Sequence, residues 1–473
     1  MGGLVLSMKG RKLLPQLVLG AVALWLAGPL SGQTRTIRVV TYNIEDDIDG
    51  ATTPLPGLIF PSAGGSVTNG GVLEGIGEEV VNNDPAQPLD LLALEETTGN
   101  LTTIGPIVAG LNAFYNAPGM YAISPYQATE EDGNVADGNG PNGLVYNTTT
   151  LQLVASVPVD PPGGTAELGA ASGEYREVMR YELAPAGLTP AAGNEFYVYV
   201  SHYKSGATTD DLTDRAGEAQ IIRDDEATNL PANARVLYVG DYNVTSSDET
   251  SYQTVLAANA PSGAAQGQGF DPLNPTGSTS VDWGASTTNP TILAMETESA
   301  TDLRYRDDMQ LMTSNVYNGV PGGLGWVPGT YHTFGNNGTT SYHGSVNSGS
   351  DTALTNLAGN ASIVAATLYA DLTTASDHLP LVADYTIAFN PPVLQLGSAA
   401  LAPGGGFEFV LSNADGSAVT VAEEGLIEIQ TTTNLGTKWA ALTDSAVVTN
   451  GLLQISDTNG FSPQRFYRAV VAP

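Results

Sequence analysis

Residues 235–243 read Arg-Val-Leu-Tyr-Val-Gly-Asp-Tyr-Asn. The apolar run 236–239 has the length and β-branched character of a buried strand. A glycine follows it, then an acid, Asp241, and an amide, Asn243, two positions apart. In an extended segment residues i and i+2 share a face, so both polar groups point the same way. Other parts of the chain repeat this layout. Asn43 ends a β-rich run over 35–44. The run 89–94 is short and apolar and passes into Glu95 and Glu96. His202 follows a strand-like run over 196–200, and His378 precedes another over 379–387. Any one polar residue at a strand end reads as a turn former. So many acids, amides and imidazoles at strand ends read as a site, because sites gather where rigid elements meet loops.

Between these runs lie helical patterns. Val72, Leu73, Ile76, Val80 and Val81 recur at helical spacing, and over 212–228 Leu212, Ala216, Ala219 and Ile222 share one face. Strands are expected over 144–146, 151–159 and 310–313, and an insertion loop over 257–281. Strands alternating with helices favour layered α/β packing. Asn390-Pro391-Pro392 marks a boundary. Residues 393–473 contain no histidine and alternate over 407–411 and 426–431, which suits a small C-terminal β-sandwich. Trp439 and Phe466-Tyr467 are expected in its core.

Composition narrows the function. The 473 residues hold 49 acidic and 16 basic side chains, a net charge of −33. Such a chain does not hold nucleic acid mainly through a basic surface. It can still act on phosphates through a bound cation. The absence of cysteine excludes disulfides, thiol nucleophiles and cysteine-held metals. Lys9, Arg11 and Lys12 precede an apolar stretch over 13–30, and Ser31 and Gly32 follow. This is the layout of a secretory signal peptide. Pro15, Gln16 and Pro29 break the span below the ~20 residues a bilayer needs. A leader over 1–32, secretion and no stable membrane anchor are the expectation; oligomeric state is left open.

Six motifs, in order, resemble the endonuclease/exonuclease/phosphatase superfamily, the fold of deoxyribonuclease I. They are Thr41-Tyr42-Asn43-Ile44, the run from Asp90 to Glu96, Ser201-His202-Tyr203-Lys204-Ser205, Gly240-Asp241-Tyr242-Asn243, Arg306-Asp307-Asp308 and Ser376-Asp377-His378-Leu379-Pro380. The resemblance implies an α+β fold, a four-layer α/β-sandwich of two mixed sheets over residues 33–389, followed by the C-terminal module over 393–473. It implies a secreted metal-dependent phosphodiester hydrolase, nuclease-like, with nucleic acid the foremost substrate. A phospholipid phosphodiesterase or phosphatase of the same fold is the alternative, and an inert binding or adhesive exoprotein is a third reading.

The resemblance also assigns roles. Glu96 is the principal ligand of Mg²⁺, with Asn43 and Asp377 nearby; Mn²⁺ and Ca²⁺ are alternatives. His378 is the catalytic imidazole and Asp308 its orienting carboxylate, with Asp307 as the competing assignment. Asp241 and Asn243 position or deprotonate the attacking water and hold the phosphate, and His202 hydrogen-bonds a phosphate oxygen. Arg180 or Arg176 either contacts phosphate or forms a surface ion pair. Glu95 stands where the family usually has glutamine and adds a second possible anionic ligand. Glu45, Asp46, Asp47 and Asp49 form either an extra cation site or a solvated loop. Asp132, Asn134 and Asp137 are a weaker Ca²⁺ candidate. Asn243-Val244-Thr245 is a glycosylation sequon, and a glycan there would block the site.

Overall fold

The computed structural model describes residues 6–7, 33–45, 55–62, 69–82, 86–125, 141–159, 178–283, 289–347, 351–389, 394–401, 406–414, 418–419, 424, 427–434, 438–442, 446–458 and 465–471. The chain divides into two units, Thr36–Ala388 and a smaller one made of residues 1–35 and 389–473.

The larger unit contains two sheets. One has seven strands: Gly325–Trp326, Leu381–Phe389, Gln33–Asn43, Leu91–Glu95, Gly143–Asn147 and Tyr121–Ile123 in that order, with His332–Thr333 also paired to Leu381–Phe389. The other has six: Gly269–Phe270, Asp308–Thr313, Val236–Asp241, Phe196–His202, Val178–Pro185 and Leu151–Val159. Both are mixed. Gln33–Asn43 runs parallel to Leu91–Glu95, and Phe196–His202 parallel to Val236–Asp241, among antiparallel neighbours.

The two-residue period of a strand decides what lies between the sheets. Val39, Leu91 and Ala93 from one sheet and Val198, Val200, Leu237 and Val239 from the other share a single core. The alternate residues Val40, Tyr42, Leu92 and Leu94 face the helices Val72–Gly77, Gly105–Phe114 and Ala365–Ala375. On the far side, Tyr197, Tyr199, Val236 and Tyr238 pack under Thr209–Asn229 and Thr250–Leu256. The order is helix, sheet, sheet, helix: the four-layer α+β sandwich expected from the sequence.

The smaller unit pairs two four-stranded sheets. Leu394–Leu401, Phe407–Asn413, Leu452–Asp457 and Ala446–Thr449 form one; Leu6–Ser7, Phe466–Val471, Ile427–Thr432 and Ala440–Ala441 form the other. Phe407, Phe409, Ile429, Ile455 and Tyr467 fill the core between them. Phe466 is buried as expected. Trp439 is half-buried, with the Arg468 guanidinium 4.6 Å from its ring centre. Of the expected leader only Leu6–Ser7 is described; the rest of 1–32 lies outside the described residues. Among the described residues no helix is long and apolar enough to cross a membrane.

Some elements differ from their sequence reading. The helix at Val72 stops at Gly77, because Val80 N–H is taken by the Asn356 carbonyl and Glu79 bridges to Leu357. Gly269–Phe270, inside the expected loop 257–281, adds an edge strand to the six-stranded sheet. Val178–Pro185 was not anticipated: Arg180 and Glu182 interrupt its apolar alternation.

Arg38 ties the seven-stranded sheet to the helix layer. It is wholly buried, and donates to Asp384 Oδ1 and Oδ2 (2.8 and 3.1 Å) and to the carbonyls of Ile76 and Glu79 (2.7 and 3.0 Å). Removing one partner of such a pair strands the other charge. Arg38→Met is expected to cost about 3–5 kcal/mol of stability, read as a lower urea midpoint. Adding Asp384→Leu should recover much of that loss. A second expectation concerns pH. Burial works against the charged His332 ring, but Glu79, 2.8 Å from its Nε2, outweighs it, so its pKa lies above the ordinary 6.5. A raised histidine stabilises below the unfolded pKa, and that gain is lost as pH rises through the folded value. The Tm gap between wild type and His332→Gln should therefore be widest in acid and close above neutrality.

Candidate active site

Strand alternation carries the inter-sheet face out to the tips. Asn43 continues the face of Val39, Glu95 that of Leu91 and Ala93, His202 that of Val198 and Val200, and Asp241 that of Leu237 and Val239. These strands end at the same end of the sandwich, so their polar residues meet there. Asn43 Nδ2 donates to Glu96 Oε1 at 2.9 Å and to Asp241 Oδ2 at 3.1 Å, joining the two sheets. His202 Nε2 lies 3.4 Å from Glu96 Oε1 and 3.5 Å from Asp241 Oδ2. Glu96, His202 and Asp241 each offer a ligand atom within 4.8 Å of the others.

Local backbone holds these groups. Gly240 has φ +134°, and a Cβ there would sit 1.8 Å from the Ser201 carbonyl oxygen, so only glycine fits. Glu96 and Asn243 adopt the left-handed region at φ +54° and +50°. Non-glycine residues there are uncommon and gather at functional sites. Asn243 N–H donates to Asp241 Oδ1 (2.9 Å), and its side-chain amide to the Tyr203 carbonyl (3.0 Å).

His378 enters from the other side of the tip. Its Nδ1 is 2.8 Å from Asp308 Oδ2, and its Nε2 is 3.8 Å from Asp241 Oδ2 and 3.7 Å from Asp377 Oδ1. Ser376 positions it: the hydroxyl donates to the Asn43 carbonyl (2.8 Å) and accepts from His378 N–H (3.0 Å). Thr297 Oγ1 accepts from the N–H groups of Asp307 and Asp308 (3.2 and 3.1 Å). Sequence reasoning missed these two positioning hydroxyls. Ser376 stood inside a quoted motif, whereas Thr297 lies in a segment with no pattern to mark it.

Charge is crowded here. Burial works against a charged His378, but Asp308, Asp377 and Asp241 outweigh it and hold its pKa well above the usual histidine value. Burial pushes Asp241 up to about 6, with His378 opposing and Asp308 adding. Asp308 is the carboxylate against the imidazole. Asp307 faces Glu298 instead: burial, then their shared hydrogen bond, pushes Asp307 well above the usual range, and Glu298 keeps the charge.

Two expectations change. Glu95 is wholly buried, and neither carboxyl oxygen has a hydrogen-bond partner. Burial, then the charges of Asp308 and Asp241, hold its pKa well above the usual range, which disfavours the anionic form a second ligand needs, and it is not in the Glu96, His202 and Asp241 group. Arg180 does not join the site. It pairs in register with Tyr199 on the helix-covered face, opposite His202, and is bound to Asp225. Asp377 lies at the same tip against His378, its Oδ1 3.7 Å from the ring Nε2, with its side chain 40% exposed. Arg176, Asp46, Asp47, Asp49, Asp132, Asn134 and Asp137 lie outside the described residues.

No family model matches the chain, and no curated protein matches it in sequence. Solved structures similar to it include the human Nocturnin catalytic domain with bound sulfate anion, at 14% identity over 76% of this chain and 98% of that one, TM-score 0.41. An endonuclease/exonuclease/phosphatase from Bacteroides vulgatus is 14% identical over 75% of this chain and 99% of its own, TM-score 0.41. Another from Beutenbergia cavernae is 15% identical over 93% and 97%, TM-score 0.35. The last two carry the name of the superfamily that the sequence motifs resemble.

Proposed function

We propose that the chain is a secreted, divalent-metal-dependent phosphodiester hydrolase that directs a water in line onto phosphate, nucleic acid being the first substrate class to test. One observation carries this reading: Asn43, Glu96, His202, Asp241, Asn243, Asp308 and His378 reach a single tip from both sheets. The leader layout over residues 1–32 supports export.

The donors fit a hard cation. Two carboxylates and one imidazole come within 4.8 Å, and oxygen-rich sets suit Mg²⁺. Glu96, with Asp241 and His202, would hold it. Asn43 is placed to orient Glu96 and Asp241, since its amide donates to both. When bound, the cation supplies positive charge against the phosphate and a more acidic water. The remaining work belongs to side chains. Asp308 fixes the tautomer of His378 and leaves Nε2 to meet the leaving oxygen. A charged His378 can donate that proton. Asp241, held by the Asn43 amide and the Asn243 N–H, would fix the orientation of the attacking water.

The test is hydrolysis of plasmid DNA, RNA and bis-p-nitrophenyl phosphate with Mg²⁺ and with EDTA. Activity should vanish in EDTA and return with Mg²⁺; activity indifferent to EDTA refutes the reading. His378→Ala should lower kcat about 100- to 10,000-fold. Asp308→Asn should also slow the reaction and leave a distinct pH signature. Asp308 raises the His378 pKa, so its loss lowers that pKa, and activity should fall off at a lower pH on the alkaline side.

A further inference from the structure

The positive charges of the larger unit are already spent. Its nine Lys and Arg are Arg38, Arg176, Arg180, Lys204, Arg215, Arg223, Arg235, Arg304 and Arg306, and all but Arg176 are described. Arg38 and Arg306 are wholly buried against Asp384 and Asp271. Arg215 is closed on Glu249 and on the carbonyls of Lys204 and Gly206. Arg223 and Arg235 cap backbone carbonyls, the first at Thr254, Val255, Ala257 and Gln266. Arg180 is held by Asp225, and Lys204 lies 3.9 Å from Asp211. Arg304 is the most exposed, 3.7 Å from Asp302 with its guanidinium over Tyr305. Among the described residues, then, every basic side chain of this unit faces an acid or carbonyls of its own chain.

Acids, by contrast, line the tip. Glu96 and Asp377 are partly exposed there. A strand that passes several phosphates across a protein needs a cation for each, and its binding then weakens steeply with salt. This unit has the proposed cation site and the His378 imidazole for one phosphate, and at the tip Glu96 and Asp377 beside any neighbour.

We infer that the substrate is engaged at the scissile phosphate alone, through a diester whose flanks are recognised without charge, so that additional phosphates add nothing to binding or turnover. This narrows the substrate of the proposed hydrolase and rests on that reading. The experiment compares a thymidine dinucleotide, which has one internal phosphate, with tetra- and dodecathymidylate. The full chain is used at fixed Mg²⁺ across a NaCl series, with kcat/KM taken per scissile bond. Values for all three should agree within about threefold, with a log–log salt slope shallower than about −1, since each backbone contact on a single strand contributes about −0.7. Metal-free protein should give no saturable fluorescence anisotropy change with labelled dodecathymidylate at low salt. A rise of tenfold or more with length, together with a slope of about −2 or steeper, overturns the inference and leaves the hydrolase standing. Saturable binding of the labelled strand to metal-free protein, lost with salt, overturns it as well. Failure to cleave any phosphoester overturns the proposed function and this inference with it.

Discussion

Carboxylates packed together away from water repel one another, and the tip of this sandwich gathers Glu95, Glu96, Asp241, Asp307, Asp308 and Asp377. Such groups persist only if each is neutralised, protonated or hydrogen-bonded. The fold uses all three. Glu95 and Asp307 are held well above the usual range by burial. Asp308 takes the His378 imidazole. Asn43 shares its two amide hydrogens between Glu96 and Asp241. Glu96 and Asp241 meet the His202 ring, with ligand atoms within 4.8 Å of one another.

Side-chain parity makes that meeting possible. Asn43 and Glu95 lie opposite each other in a parallel register, as do His202 and Asp241 in the other sheet. All four continue the inter-sheet face beyond the last apolar layer. A one-residue slip in any of these strands would turn its polar tip toward the helices. Gly240 prevents one such error at Asp241: its positive φ and the contact with the Ser201 carbonyl leave no room for a side chain. Specificity of register and assembly of the site are one requirement.

That requirement explains what could be read in advance. The strands that build the tip are short, apolar and bounded by polar residues, so 35–44, 89–94, 196–200 and 236–239 were visible as strands, and their ends as a site. His378 and Asp308 stood in motifs, although only coordinates separate Asp308 from Asp307: adjacent residues of a strand face opposite ways, and sequence does not say which faces His378. Ala365–Ala375 was hidden because few of its side chains are large and apolar, so tertiary packing decides it. Arg180 misled for a related reason. A lone cation near a catalytic histidine suggests phosphate, yet Tyr199 and Asp225 on the helix-covered face claim it. Thr297 and Ser376 act through backbone N–H groups, and that role leaves no compositional trace.

The arginines complete the picture. Arg38 and Arg306 each hold a carboxylate in the dry interior, where their forked geometry makes two bonds at once. A chain without cysteine has no disulfide with which to tie its layers, and these pairs, with Arg223 gathering loop carbonyls, link segments far apart in sequence. Arginine used as an internal tie is not available at the surface. For the hydrolase proposed above, the same scarcity of basic side chains would leave positive charge at the tip to imidazole and to an ion from solution.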